Sequence, residues 1–256
     1  MRSTIHVTGH DIEYDVLNPE GEAPWVVFLH EGLGSIDLWR GFPADVVAAT
    51  GRPGLVYSRY GYGFSDAFTV PRSVNFMHHE ALVILPEVLA EFGIERPILV
   101  GHSDGASIAL IHAGAGHPVA GIVALAPHVF VEPIAIAAIE AAKERFATTD
   151  LADRMGRYHR DPVATFRGWN DIWLDPAFLD WDITEYLPTI ECPVLLIQGH
   201  DDEYGTFAQL DTIDSAVCGP VERRELKDCR HSPHIDRRPE TLQATIRFIN
   251  TVMAAR

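Results

Sequence analysis

A chain of 256 residues has room for one large α/β domain, and 47% hydrophobic with 22% charged residues is ordinary for a globular protein with a sizeable core. The formal net charge of −16 argues against a nucleic-acid partner and against an anionic membrane surface. Three cysteines, Cys192, Cys218 and Cys229, fit neither a disulfide framework nor a metal site, and no apolar segment resembles a signal peptide or a membrane span. We therefore expect a cytoplasmic location.

Hydrophobic patterning predicts strands that alternate with helices along the first half of the chain. Residues 4–8 and 12–17 predict two antiparallel strands joined by a turn at Gly9, His10 and Asp11. Continuous apolar runs, typical of strands covered on both faces, then alternate with helical spacing. In chain order we expect a strand over 25–29, a helix over 36–49, a strand over 54–58, a helix over 75–92 with a kink at Pro86, a strand over 97–100, a helix over 106–113 and a strand over 121–125.

The pattern changes between residues 128 and 190, where helical spacing dominates and no strand is indicated. Helices are expected over 134–145, 151–158 and 162–173, and we interpret the segment as a lid over the strand ends. Aromatic residues are concentrated there, and several are expected to line a pocket: Phe130, Phe146, Phe166, Trp169, Trp173, Phe178 and Trp181.

Strands over 193–197 and 222–226 and a helix over 238–252 complete the predicted sheet. The predicted organisation is a core whose first part is 1–127 and whose second part is 191–256, with the lid, 128–190, between them. A sheet of this kind is mostly parallel and places function at the carboxyl ends of its strands.

The most informative motif lies where the strand over 97–100 meets the following helix. Ser103 stands there between Gly101 and Gly105, in the run Gly-His-Ser-Asp-Gly. A serine lifted above a sheet edge needs a sharp strand-to-helix turn with small neighbours, and the helix behind it directs its free N–H groups toward developing negative charge. The pattern also occurs by chance, so the interpretation depends on finding a base and a carboxylate for Ser103.

Two later loops offer those partners, and both follow predicted strands at the edge that carries Ser103. Asp201 and Asp202 follow the first strand after the lid, and His231 and His234 follow the last predicted strand. The chain order is therefore serine, aspartate, histidine, which is the order of the α/β-hydrolase arrangement.

Five segments in this order resemble the α/β-hydrolase superfamily, in particular its lid-bearing serine hydrolases of the esterase and carbon–carbon hydrolase type. They are residues 28–35 (Phe-Leu-His-Glu-Gly-Leu-Gly-Ser), 61–65 (Gly-Tyr-Gly-Phe-Ser), 101–105, 199–202 (Gly-His-Asp-Asp) and 231–234 (His-Ser-Pro-His). The resemblance covers essentially the whole chain. It implies an α/β-hydrolase fold, with a mostly parallel central sheet, helices on both faces and a helical lid inserted after the sixth strand.

The resemblance also implies roles for the candidate residues. It makes Ser103 the nucleophile. It places the acid at Asp202, with Asp201 as the nearest alternative, and the base at His231, with His234 as the alternative.

Enzymes of this family hold the reacting oxyanion with two backbone N–H groups. The resemblance assigns one to Asp104 and the other to Gly32, with Leu33 as the alternative. The chain departs from the family pattern at Glu31, where glycine is usual, and we expect that carboxylate to point away from the site. Asp104 also departs from the usual residue, and we interpret it as an acid placed favourably at a helix N-terminus. Arg230 takes the position of a glycine before His231.

These residues predict a serine hydrolase that cleaves a small carboxylic ester or related acyl compound through an acyl-enzyme. One alternative is a carbon–carbon hydrolase of diketone-type ring-cleavage products, for which Arg154, Arg157, Arg160 and Arg167 are candidates to bind a substrate carboxylate. Another is a slow-turnover ligand receptor on the same fold. A serine nucleophile argues against haloalkane dehalogenases and epoxide hydrolases, which need a carboxylate there.

No cofactor is expected. The adjacent pair His78 and His79, followed by Glu80, does not predict a metal site, because neighbouring helical side chains point in different directions. We expect a small-molecule substrate and neither a nucleic-acid nor a membrane partner, and the sequence leaves open whether the chain forms a homo-oligomer.

Overall fold

A sheet of eight strands carries the fold of residues 2–69 and 71–254, the part of the chain that the computed structural model describes. In chain order the strands are β1 (Ser3–Val7), β2 (His10–Leu17), β3 (Val26–Leu29), β4 (Gly54–Tyr57), β5 (Ile98–His102), β6 (Gly121–Leu125), β7 (Val194–Gly199) and β8 (Val221–Leu226). Their order in the sheet is β1-β2-β4-β3-β5-β6-β7-β8.

The first two strands differ in direction from the rest of the sheet. β1 pairs with β2, and β2 with β4, in antiparallel fashion, whereas the pairs from β4 through β3 and β5 to β8 are parallel. The carboxyl ends of β3 to β8 therefore lie at one edge, where the sites of such sheets form. This architecture confirms the predicted α/β-hydrolase fold with its mostly parallel sheet.

Alternating strand residues divide the core between the two faces of the sheet. The α-helices of the described residues are α1 (Phe42–Thr50), α2 (Phe76–His79), α3 (Leu85–Glu91), α4 (Asp104–Gly114), α5 (Pro133–Thr148), α6 (Leu151–Met155), α7 (Pro162–Trp173), α8 (Ala208–Ala216), α9 (Pro233–Asp236) and α10 (Arg238–Ala254). Val27 and Leu29 of β3 bury in a cluster with residues of α2, α3 and α4. Val26 and Phe28 bury in a second cluster with residues of α1 and α10. The central strands are apolar throughout because both of their faces are covered.

Two predicted boundaries were wrong for reasons of backbone conformation. The turn between β1 and β2 consists of Thr8 and Gly9, both with positive φ, and Val7 pairs with His10, so His10 and Asp11 belong to β2. The helix expected over 36–49 is divided by Arg40 and Gly41, whose φ angles are 52° and 79°. A 3₁₀ helix therefore precedes this break, and α1 follows it.

Pro86 acts on the helix expected over 75–92 one turn earlier than predicted. Residues Glu80–Ile84 form a π-helical turn between α2 and α3, and Pro86 is the second residue of α3. Proline lacks an N–H group and collides with the carbonyl four residues before it, so a wider turn ahead of Pro86 relieves both problems.

The chain between β6 and β7 forms α5, α6, α7 and two short 3₁₀ helices. α7 has the predicted bounds, whereas the helix expected over 151–158 ends at Met155, just before Gly156. Phe130 and Asp182 form an isolated bridge between the two ends of this segment. Its role as a lid, and the division into domains, remain predictions. Within residues 2–69 and 71–254, no helix combines the length and apolar character that a membrane crossing requires.

Candidate active site

Ser103 occupies the turn between β5 and α4. Its φ of 51° and ψ of −119° lie outside the conformations that serine ordinarily adopts. The Ser103 N–H donates to the Leu125 carbonyl at the end of β6 at 2.9 Å, which fixes the turn against the neighbouring strand. The sharp turn predicted from the sequence is therefore present, and it brings Ser103 to the carboxyl edge of the sheet.

Two glycines make this turn sterically feasible. A Cβ atom at Gly105 would come within 2.0 Å of the Leu29 carbonyl oxygen, and one at Gly101 within 2.4 Å of the Gly105 carbonyl oxygen. The backbone of α4 thus packs directly on the end of β3, which no larger residue at either position would permit. This packing places the first turn of α4 beside the loop that follows β3.

Ser103, His231 and Asp202 are joined by hydrogen bonds, although they come from three different loops. Ser103 Oγ lies 2.9 Å from His231 Nε2, and His231 Nδ1 lies 2.8 Å from Asp202 Oδ1. The Tyr204 N–H donates to the same Asp202 oxygen at 2.9 Å and orients the carboxylate. With Asp202 ionised, His231 Nδ1 carries the proton, and Nε2 is left to accept the proton of Ser103.

Asp202 and His231 each stabilise the charged form of the other. Burial opposes the imidazolium form, but the Asp202 carboxylate outweighs it and raises the pKa of His231 above its ordinary value. Burial also opposes ionised Asp202, yet His231 holds the pKa of that carboxyl below its usual range. The arrangement suits a base that takes a proton from Ser103 and is then stabilised as an imidazolium.

Neither alternative residue occupies the corresponding position. Asp201 is exposed, and its backbone N–H donates to the Cys229 carbonyl at 2.9 Å. His234 is buried, with its ring centroid 4.9 Å from that of Trp39 and 5.8 Å from that of Phe42. Burial lowers the pKa of His234 to about 3, so its ring is neutral and packs against the aromatic side chains around it.

Glu203 joins the two loops that carry Asp202 and His231. One of its oxygens accepts from Arg230 at 2.6 Å, and the other accepts from the His231 N–H at 3.3 Å. Arg230, which stands where the family has glycine, therefore pairs with the same carboxylate that accepts from the backbone of His231. Glu203 directly follows Asp202, but its contact with the histidine loop was not predicted from the sequence.

The loop after β3 forms a tight turn in which the Gly34 N–H donates to the Glu31 carbonyl at 3.0 Å. The Arg59 N–H donates to His30 Nε2 at 3.0 Å, so His30 is protonated at Nδ1 and donates to the Glu31 carbonyl at 2.7 Å. His159 acts similarly: its Nδ1 accepts from Gly63, and its Nε2 donates to another carbonyl of this loop at 3.1 Å. Two histidines from distant positions thus hold the loop through its carbonyl groups.

Gly32 and Asp104, the two predicted oxyanion donors, lie next to each other. A Cβ atom at Gly32 would come within 3.2 Å of Asp104 Oδ2 and within 2.3 Å of the Trp169 ring. Both residues line the cavity that contains Ser103, as does Leu33, the alternative donor. The proximity is compatible with a shared role.

Glu31 is paired, where we expected it to point away. Its Oε2 lies 3.3 Å from His102 Nδ1, and its side chain borders the cavity. His102 Nε2 lies 2.8 Å from the His231 carbonyl oxygen, which can only accept a hydrogen bond. Burial disfavours the Glu31 carboxylate, but the hydrogen bond with His102 outweighs this and lowers the pKa of Glu31.

Asp104 opens α4, as the interpretation of a helix N-terminal acid requires, but its surroundings are more specific than that. Its side chain is 1% exposed, and within the described part of the chain no close, well-aligned hydrogen bond reaches either carboxylate oxygen, although the nearby Trp173 side chain helps to lower its pKa. The nearest cation is the Arg59 guanidinium, with Nη2 3.9 Å from Asp104 Oδ2. Burial raises the pKa of Asp104, and Arg59 opposes that rise.

The cavity has a volume of about 320 Å³, the size of a small-molecule site. Ser103 and His231 lie in its wall with Trp169 and Trp173, and these two are the members of the predicted aromatic set that line it within the described residues. Two of the others pack behind these tryptophans, Phe166 against Trp169 and Phe178 against Trp173, and Phe146 stacks on Phe166 with centroids 3.9 Å apart.

None of the four arginines considered for a substrate carboxylate lines this cavity in the described part of the chain. Arg160 lies 3.2 Å from Asp66, and Arg154 lies 3.8 Å from Asp150. Arg167 borders a separate surface depression. These four arginines therefore offer no anchor inside the site.

Sequence reasoning missed several residues that shape the site. His128 follows β6, Tyr204 lies in the loop after β7, and Arg59 follows β4. Each comes shortly after a strand ends at the functional edge, which is the signal that would have found them. Within residues 2–69 and 71–254, no group of three or more histidine, cysteine, aspartate or glutamate residues is placed to hold a metal ion.

The sequence matches a known protein family, and the structure is similar to solved structures of several enzymes. A model described as "Alpha/beta hydrolase family" matches residues 26–244. The structure is similar to proline iminopeptidase from Mycobacterium smegmatis, with 20% identity, 100% of both chains covered and a TM-score of 0.73. It is also similar to a thermophilic esterase from Thermogutta terrifontis (17% identity, 98% of this chain and 99% of that chain, TM-score 0.70) and to the enol-lactonase from Burkholderia xenovorans LB400 (19% identity, 97% and 100%, TM-score 0.73). No curated protein matches the sequence.

Proposed function

This chain belongs to the alpha/beta hydrolase family and is a hydrolase, and we propose that it cleaves small carboxylic esters or related acyl compounds through a covalent acyl-enzyme at Ser103. The observation that carries the proposal is the chain of two hydrogen bonds from Ser103 to His231 and from His231 to Asp202, at 2.9 and 2.8 Å, beside a small-molecule cavity. Nucleophile, base and orienting acid are each within the reach that acyl transfer demands.

The proposed reaction begins when His231 Nε2 removes the proton from Ser103 Oγ as the oxygen attacks the ester carbonyl carbon. The carbonyl oxygen becomes an oxyanion, which the N–H groups of Gly32 and Asp104 stabilise. The intermediate then collapses, the alcohol leaves with the proton from His231, and the acyl group stays on Ser103. Water, activated in turn by His231, releases the acid and restores the serine. Asp202 stabilises the imidazolium in both halves.

The charges of the cavity favour an uncharged acyl group over an anionic one. Carboxylates of Glu31, Asp104, Glu203 and Asp236 line the cavity, and Arg230 is the one guanidinium among its described lining residues. Arg230 is already bound to Glu203. A substrate carboxylate would therefore meet like charges without a free cation to bind it. This supports ester cleavage over the carbon–carbon alternative, whose dienoate substrates are anionic.

The direct test is reaction with an alkyl fluorophosphonate and with p-nitrophenyl butyrate. We expect the wild-type protein to be labelled on Ser103 and to hydrolyse the ester, and Ser103→Ala to do neither. Ser107→Ala serves as a control because that buried serine donates to the His128 carbonyl from within α4. A wild-type protein that is not labelled and cleaves no ester would contradict the proposal, and ligand binding without turnover would then favour a receptor.

A second measurement tests the substrate charge. Mono-p-nitrophenyl adipate and p-nitrophenyl hexanoate have similar size and the same leaving group but differ by one negative charge. We expect kcat/KM for the adipate to be lower by about tenfold or more. Repulsion of its carboxylate that costs about 1.4 kcal/mol corresponds to a factor of ten. Equal rates for the two esters would contradict the charge argument, and fast cleavage of a dienoate diketone would favour the carbon–carbon hydrolase.

A further inference from the structure

Arg59 is the largest charged side chain that is fully buried beside the candidate site. It follows β4, has 0% exposure and lies with its guanidinium carbon 5.0 Å from the centroid of the Tyr62 ring. Burying an arginine is costly unless its charge and its donors find partners. The proposed chemistry assigns it no task, so its contacts need an explanation.

Those contacts converge on a single peptide group. Arg59 Nη2 donates to the Glu31 carbonyl at 2.9 Å, and the backbone N–H of Arg59 donates to His30 Nε2 at 3.0 Å. The same Glu31 carbonyl accepts from His30 Nδ1 at 2.7 Å and from the Gly34 N–H at 3.0 Å. Side chain and backbone of Arg59 therefore act together on this carbonyl, one directly and the other through the tautomer of His30.

A fixed Glu31 carbonyl also fixes the neighbouring N–H. The peptide bond between Glu31 and Gly32 is planar and trans, so the Gly32 N–H points opposite to the Glu31 carbonyl. Three donors on one side of this peptide thus set the direction of the N–H on its other side. That N–H is one of the two proposed oxyanion donors.

Arg59 also reaches the second donor residue. Its Nη2 lies 3.9 Å from Asp104 Oδ2, and no close, well-aligned hydrogen bond from the described residues reaches the Asp104 carboxylate, although the Trp173 side chain lies near enough to help lower its pKa. An ionised carboxylate beside an oxyanion would oppose its formation, and the adjacent guanidinium reduces that opposition. One side chain thereby acts on both residues whose amides would bind the oxyanion.

We propose that Arg59 is a positioning residue for the oxyanion hole, which directs the Gly32 N–H through the Glu31 carbonyl and offsets the charge of Asp104. The proposal rests on the proposed function, because it presumes that an oxyanion forms at Ser103. Arg59 does not contact the substrate, and it acts through the backbone of the loop after β3.

The test compares Arg59 with Arg72, a second arginine on the same ring. The Arg72 guanidinium carbon lies 4.9 Å from the Tyr62 centroid and 4.3 Å from that of Phe76. Its close contacts are with aromatic rings, and its charge acts on Asp104 from farther away than that of Arg59. Replacing it therefore removes a similar charge without freeing the Glu31 carbonyl. We would prepare Arg59→Gln, Arg59→Lys, Arg72→Gln and Arg72→Lys in the full chain.

Two readouts separate positioning from general damage to the fold. One is kcat and KM for p-nitrophenyl butyrate, and the other is inhibition by an alkyl trifluoromethyl ketone, whose adduct with serine carries an oxyanion. We expect Arg59→Gln to lower kcat by about 100-fold with KM changed by less than about threefold, since a misdirected donor acts in the transition state. Ketone affinity should fall in parallel, Arg59→Lys should retain part of both, and the Arg72 variants should retain nearly all.

Several outcomes would overturn the proposal. A folded Arg59→Gln with wild-type kcat and ketone affinity would do so, as would equal losses in the Arg72 variants. If Arg59→Gln does not fold, Arg59→Lys against Arg72→Lys decides the matter by the same readouts. A wild-type protein that neither hydrolyses the ester nor binds the ketone would instead contradict the proposed function, and that result is distinct from a loss confined to the variants.

Discussion

The surroundings of three buried histidines shift their pKa values in opposite directions. The pKa of His231 is raised, whereas those of His30 and His159, which hold the loop after β3, are lowered. His231 faces the Asp202 carboxylate, which raises its pKa despite burial. Burial lowers the pKa of His159 to about 4, and burial together with the Arg59 charge lowers that of His30 well below its ordinary value. Their partners are backbone groups and a guanidinium, which favour a neutral ring of fixed tautomer.

The difference separates the candidate site into two halves with different physical tasks. The relay half, which consists of Ser103, His231 and Asp202, moves a proton, and the Asp202 carboxylate raises the pKa of its histidine. The oxyanion half, around Gly32 and Arg59, holds backbone groups in place, and burial lowers the pKa of both of its histidines, His30 and His159. Activity should therefore respond to substitutions that alter proton transfer in the relay half, and to substitutions that displace the backbone in the oxyanion half.

The largest effect is expected in the relay half from Asp202→Asn. An amide at this position favours the wrong tautomer of His231, which removes the acceptor for the Ser103 proton, so kcat should fall on the order of 10⁴-fold. Asp201→Asn is the matched control, because Asp201 is exposed and should leave kcat within about threefold. Steady-state kinetics on p-nitrophenyl butyrate measures both. Equal losses in the two variants would mean that the assignment of the acid is wrong.

A smaller loss is expected in the oxyanion half from Gly32→Ala. The added Cβ would come within 2.3 Å of Trp169, so either the ring or the loop must move. We expect kcat to fall by about 10²- to 10³-fold, the usual consequence of losing one oxyanion donor. The acid limb of the pH profile should stay in place, because His231 and Asp202 are untouched.

Gly156→Ala is the control for this prediction, since its Cβ would find its nearest neighbour at 3.3 Å, in the segment between β6 and β7. It should leave kcat within about threefold of wild type. If Gly32→Ala kept full activity, the N–H of Leu33 would become the better candidate for the second donor.

The relay half could be predicted from the sequence because its residues obey a topological rule. Ser103, Asp202 and His231 each follow a strand of a parallel sheet, and such strands end at one edge. The choice between Asp201 and Asp202 was harder, because adjacent residues differ only in which way the loop turns them. The resemblance favoured Asp202, and the structure brings that residue to His231.

The oxyanion half was predicted only in part, for reasons that no local pattern contains. Arg59 is a charged residue after a strand, and nothing in its neighbourhood shows that its side chain folds inward onto Glu31, 28 positions away. Glu31 itself was expected to point away, because no pattern in the sequence shows that His102 lies 3.3 Å from its carboxylate. Buried polar contacts between residues far apart in the chain depend on how the helices and strands pack together, and the hydrophobic pattern of the sequence does not predict that packing.

The smallest predicted effect concerns Glu203, which touches the relay half without taking part in proton transfer. Its charge is one of the influences that raise the pKa of His231. His231 must be neutral to accept the Ser103 proton. The value of kcat/KM is therefore highest at pH values above the pKa of His231 and falls as the pH drops below that pKa. Glu203→Gln removes the negative charge, so the pKa should fall and the acid limb should move to lower pH. On the plateau kcat should change by less than about threefold.

A pH profile of kcat/KM tests this against Glu225→Gln, a control that removes an exposed glutamate paired with Arg223 at 2.7 Å and with His200 at 3.8 Å. That variant should leave the acid limb in place. A shift of the limb to higher pH in Glu203→Gln would contradict the electrostatic argument. A collapse of kcat would instead show that the hydrogen bond from the His231 N–H to Glu203 sets the position of the ring, and Glu203 would then belong to the geometric machinery as much as Arg59 does.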